Sequence, residues 1–149
     1  MVLLFADRTE LHGYLNPSQL RLTGEIDLLT TEGAHRPVRL GDLRAIYFVR
    51  EFTDEYKPER TAFLSRPKLD GLWVRLTFQD DETLEGVVPN NLLALLDFGV
   101  QITPPDLNGP VSRIFVPRSA LAEMTVLGVI GVARKKPSVV PAQPKLFSE

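Results

Sequence analysis

The sequence predicts an all-β protein made of two tandem small barrels with an extended C-terminal tail, and three observations carry that prediction. One stretch is written twice. Residues 3–22 (LLFADRTELHGYLNPSQLRL) align without a gap on residues 76–95 (LTFQDDETLEGVVPNNLLAL), placing Phe5 on Phe78, Asp7 on Asp80, Leu11 on Leu84 and Gly13 on Gly86. Self-similarity of this kind points to duplication. Apolar residues also alternate with polar ones in short runs, the period of half-buried strands. Gly, Pro, Asn and Asp break these runs every few residues, too often for helices and at the spacing of a small all-β domain.

The first copy opens on a strand from Val2 to Ala6, turns at Asp7-Arg8-Thr9 and returns from Glu10 to Leu15. Gly13 inside the return strand suggests a bend or a close approach of backbone. Asn16-Pro17-Ser18 ends it, and Leu20, Leu22, Ile26 and Leu28 carry the alternation through a third strand. Thr31-Glu32-Gly33 turns into a short strand at Pro37–Leu40, Gly41-Asp42-Leu43 makes a one-turn break, and Arg44–Arg50 closes the copy. The second copy repeats the plan: Trp73–Phe78, a turn at Gln79–Glu82, Thr83–Val88, then Leu92–Leu96 with Val100–Thr103. After a proline-rich excursion at 104–110 come Arg113–Val116, a helical turn at Pro117–Ala120 and a long closing strand from Leu121 to Val132. Leu121 and Met124 fall where the first copy has Leu43 and Ile46. The expected organisation is a first barrel over 1–52, a linker docked by Phe63 and Leu64 over 53–71, a second barrel over 72–133, and a Pro-rich tail over 134–149.

The Phe5-x-Asp7…Leu11-x-Gly13 hairpin and the run Val38-x-Leu40-x-x-Leu43-x-x-Ile46 resemble the SH3-like small barrels, and among them the Sm-like type. The double layout resembles an uncharacterised bacterial family. The Sm-like resemblance implies assembly through exposed edge strands, with single-stranded RNA bound by the rings; the N-terminal helix usual in that type has no counterpart here. Val126–Val132 is an apolar, β-prone run suited to such an edge, or equally to the last core strand of the second copy.

Composition excludes several chemistries. With 149 residues, 44% hydrophobic and 24% charged, the chain is an ordinary globular one. Seventeen Lys and Arg oppose 19 Asp and Glu, which disfavours nucleic acid as a partner because phosphate binding calls for a basic excess. The absence of cysteine excludes disulfides, thiolate metal sites and cysteine nucleophiles. No P-loop, nucleophile elbow or dinucleotide fingerprint occurs, so no catalytic, cofactor or metal residue is assigned and a non-enzymatic role is expected. The apolar runs are too short for a secretory or membrane-spanning segment, and a cytoplasmic location is expected. His12 reads as a surface residue, and Asp80, Asp81, Glu82 and Glu85 as a solvated hairpin tip.

Two groups remain as candidate binding residues. Arg50, Lys57, Arg60, Arg66 and Lys68 gather around the linker with Tyr56 and Phe63 between them, a mixture that grips phosphates and stacks bases. Cyclic-dinucleotide receptors built on small barrels resemble this in using arginines on a leading segment, but with a tighter pair than Arg60 and Arg66. The other reading pairs these cations with Glu51, Asp54, Glu55 and Glu59. In the tail, Gln143, Leu146 and Phe147 resemble the short peptide with which bacterial proteins dock on the replication sliding clamp, with Pro144 where that peptide has leucine. The function expected is protein interaction or scaffolding, with a protein partner or a homo-oligomer; the alternative is nucleotide or nucleic-acid binding through the linker arginines.

Overall fold

In a computed structural model of the chain, residues 2–5, 7–16, 24–50, 61–91, 93, 99–105 and 109–131 are described. They form ten strands: β1 (Val2–Phe5), β2 (Glu10–Tyr14), β3 (Glu25–Thr30), β4 (His35–Arg39), β5 (Leu43–Val49), β6 (Gly71–Phe78), β7 (Thr83–Val88), β8 (Gly99–Ile102), β9 (Val111–Pro117) and β10 (Leu121–Ile130). One-turn 3-10 helices at Leu40–Asp42 and Arg118–Ala120 lead into β5 and β10. The protein is all-β, as its period-two patterning predicts. The Leu20–Leu22 part of the third predicted strand, the linker through residue 60, the Leu92–Leu96 strand except Leu93, and the tail all lie outside the described residues.

The hairpins of the two similar stretches fold the same way. In the first hairpin the Phe5 N–H donates to Thr9 O at 2.8 Å and the Arg8 N–H to Phe5 O at 2.9 Å. In the second, the Phe78 N–H donates to Glu82 O at 2.8 Å and the Asp81 N–H to Phe78 O at 3.0 Å. Asp7 and Asp80 each accept the backbone N–H two residues on, both at 3.0 Å. Arg8 and Asp81 take positive φ at the matched tip position. The strands after the 3-10 turns also match, since Phe5 registers with Leu43 and Phe78 with Leu121.

The sheets differ from two separate barrels. A seven-stranded antiparallel sheet runs β4-β3-β2-β1-β5-β9-β8, and a three-stranded one runs β10-β6-β7. Neither closes into a barrel. The reason is that β5, the last strand of the first half, pairs with β9 of the second (Ile46 opposite Phe115, Tyr47 opposite Ile114). Among the described residues a single bridge, Val87 with Thr103, joins β7 to the segment after β8.

This joint divides the core. On β5, Ile46 and Phe48 enter one cluster with Leu3, Ile26, Leu28, Val38 and Phe115, while Ala45 and Tyr47 enter another with Val74, Leu76, Val100 and Ile114. Successive strand residues face opposite sides, so β1, β5 and β9 each supply both cores. β5 is accordingly buried from Leu43 to Phe48.

Candidate interaction surface

The two hairpin tips meet through charge. Arg44, at the start of β5, is 11% exposed; its Nε donates to Asp80 Oδ2 at 3.1 Å and its Nη2 to Glu82 Oε1 at 2.6 Å. Its guanidinium lies 3.9 Å from the centroid of the Phe78 ring, a stacking contact a planar cation favours. Arg8, on the first tip, reaches the same two carboxylates at 2.8 and 3.2 Å. Burial pushes the Asp80 carboxyl up, but the Arg44 hydrogen bond, the Glu82 N–H and both guanidinium charges outweigh it, and its pKa lies below the usual value. The hydrogen bond to Glu82 holds the Arg8 guanidinium above its ordinary value. The second tip is thus exposed at Asp80, Asp81 and Glu82, as expected, and is also clasped by two arginines. A small cavity of about 130 Å³ beside it is lined by Gly41, Leu43, Arg44, Phe78, Asp80 and Ser119, below the size that encloses a nucleotide.

Glu85 departs from the sequence expectation. It is buried, and its Oε1 accepts from Trp73 Nε1 and from the Phe63 N–H, both at 3.1 Å. Its backbone N–H donates to Thr61 O at 2.7 Å, and Arg75 lies 3.6 Å from Oε2. Phe63 meets Trp73 edge-on at 6.4 Å between ring centroids. Glu85 therefore fastens the second part of the linker onto β6 and β7. His12, at the matched position in β2, is partly buried.

Of the linker cations, Arg50 donates through Nη1 to Gly109 O, and Arg66 donates through Nη2 to Val129 O at 2.6 Å. Lys68 is exposed. Lys57 and Arg60, the acids expected to answer them, and the tail residues Gln143, Leu146 and Phe147 lie outside the described residues. Arg50 and Arg66 are brought to different strands, beside β9 and β10. Among the described residues no group of three His, Asp or Glu side chains could hold a metal ion, and no helix is long and apolar enough to cross a membrane.

Exposed apolar side chains also lie on β10, an end strand of the smaller sheet. Among the described residues nothing pairs with its side away from β6. Val126 and Val129 are 51% and 52% exposed, whereas Phe48, the counterpart of Val126 in the first half, is buried in a core cluster and β9 pairs with its strand. β4, one of the two end strands of the larger sheet, is built differently. Its sequence HRPVR carries Pro37, which has no N–H to offer a neighbour, and the cations Arg36 and Arg39, devices that discourage edge pairing. The sequence signal for β10 is legible in Val126–Val132. No such signal marks the Arg44 clasp except that opposite charges fall on matched tips, Arg8 on one and Glu82 with Asp80 on the other.

A protein-family model, that of the family of unknown function DUF6982, matches residues 1–128. No curated protein and no solved structure matches the chain.

Proposed function

Because the chain belongs to a family whose function is itself unknown, we propose from its surfaces that it is a non-enzymatic interaction module that binds a protein through the edge of β10. The observation that carries this reading is the contrast between β5, paired on both sides and buried, and β10, its ten-residue counterpart, which pairs with β6 alone among the described residues and leaves Val126 and Val129 half exposed. An added strand would recover the backbone hydrogen bonds of that edge and cover its valines. The module is read as two Sm-like halves that arose by duplication, a reading supported by the matched hairpin hydrogen bonds and by the 3-10 turn before each closing strand. In this view the joint of β5 with β9 is the edge pairing of such halves carried out inside one chain.

Nucleotide or nucleic-acid binding through Arg50, Lys57, Arg60, Arg66 and Lys68 is the weaker alternative. Arg50 and Arg66 spend donors on backbone carbonyls at separate strands, and the net charge is -2. Affinity capture from native lysate with the full chain and with Val126→Lys tests the proposal. A protein retained by the first and lost by the second is the expected result. Loss instead on deleting residues 134–149 moves the contact to Gln143, Leu146 and Phe147, and recovery of nucleic acid released by salt transfers the function to the arginines.

A further inference from the structure

We propose that the strand taken up by β10 is the β10 of a second copy of this chain, paired antiparallel about a twofold axis; this rests on the edge reading above. β10 lacks two of the usual guards against self-pairing and keeps a third, the register shifts at Leu121/Glu123 and Val126/Gly128. LAEMTVLGVI holds no proline and no cation, and its single charge is Glu123. The end strand β4 cannot serve as well. β4 would repeat the β5–β9 joint head to tail, yet it carries Arg36 and Pro37 where β9 offers Ile114 and Phe115 to β5. The far face of β10 also forbids the repeat. In β5 the residues turned to the second core are Ala45 and Tyr47, and the matched places in β10 are the exposed Glu123 and Thr125. Head-to-tail growth is therefore disfavoured, while an isologous pair of β10 edges closes after two copies.

Charge complements this arrangement. Glu123 registers with Thr77 and Gly128 with Trp73, so both lie on one face of the sheet. The Arg66 guanidinium sits on that face, 3.5 Å from where a Cβ on Gly128 would be, and holds Val129 O. Glu123 has no ion pair among the described residues. Antiparallel pairing lays the Glu123 end of each strand beside the Gly128 end of the other, bringing each Glu123 toward the Arg66 of the second copy.

Sedimentation of the full chain over a wide concentration range tests this. The expected mass is about twice 16.7 kDa at high concentration, falling on dilution. Val126→Lys and Val129→Lys should be monomeric and melt near the temperature of the unsubstituted chain at high dilution, since both sites are half exposed. Glu123→Arg and Arg66→Glu should each raise the dissociation constant about fivefold or more, and the double variant should recover most of that loss. A chain that stays monomeric at every concentration overturns the proposal, whether its own residues 134–149 or another protein covers β10. So does a dimer indifferent to Val126→Lys. If the monomer still captures a protein in a Val126→Lys-sensitive way, only the dimer fails; if it captures none, the interaction reading falls with it.

Discussion

Glu85 occupies the place where the first half carries His12, and it holds the linker, the indole and the sheet with one carboxylate. Truncating it strands two part-buried donors, the Trp73 Nε1–H and the Phe63 N–H. Glu85→Ala should lower stability by about 2 kcal/mol, the cost of leaving such groups without an acceptor. Glu85→Gln, which keeps an acceptor oxygen, should lose less. Trp73 is the only tryptophan, so its emission should shift to the red in the alanine variant before global unfolding; an unchanged spectrum would sink this account. Acid acts on neighbouring carboxylates. The hydroxyl and N–H of Thr9 hold Asp7 below its usual value, and Asp80 is held low by Arg44 against the opposing effect of burial. A carboxyl with a lowered folded-state pKa stabilises the fold above its unfolded value, near pH ~4, and that contribution fades as pH falls through the lowered one. Urea titrations should therefore show a midpoint that these groups leave flat between about pH 6 and 8 and that drops below about pH 4. Replacing Asp80 by Asn should shrink the acid-dependent part, while a midpoint equally pH-sensitive in that variant would assign the effect elsewhere.

Between elements, the same backbone plan gives two strands with opposite fates, because what differs is the neighbour. β5 reads as a half-buried strand, LRAIYFV, and is buried on both faces since β9 pairs with it and both cores meet across it. Periodicity reports a strand and its inward face; it does not report which distant strand covers the other face, and that is why the hairpins were legible while the joint was not. Charge pairing was missed for a related reason. Asp80 and Glu82 look solvated along the sequence, and only the packing of one half on the other brings Arg8 and Arg44 to them. The glycines were legible in part. Gly13 has no left-handed φ; a Cβ there would lie 2.5 Å from Leu29 O, because β3 crosses it closely. At Gly86 the obstacle is Ile102, 2.7 Å away. Gly13→Val and Gly86→Val should each destabilise the fold by about 1–3 kcal/mol or more, as overpacked sites do. Melting temperatures unchanged in both variants would show that β2 and β7 have room the geometry denies them.

At the scale of the molecule, the halves cannot be independent. β1 gives Leu3 to one core and Val2 to the other, β5 divides Ile46 and Phe48 from Ala45 and Tyr47, and β9 divides Phe115 from Ile114 and Val116. Cutting the chain in its linker would leave Ala45 and Tyr47 bare on one piece and remove the strand beside β9 on the other. Each half also buries too little surface alone to offset the ordering of its backbone. Unfolding of the intact chain should therefore be a single transition, with calorimetric and van't Hoff enthalpies equal. The Trp73 signal, which lies in the second half, should coincide with the circular dichroism of the whole. Separately expressed pieces 1–60 and 61–149 should be unfolded alone and gain strand structure when mixed. Two resolved transitions, or a folded 61–149 piece, would mean that β5 and β9 join finished units, and the repeat would then describe two domains instead of one shared core.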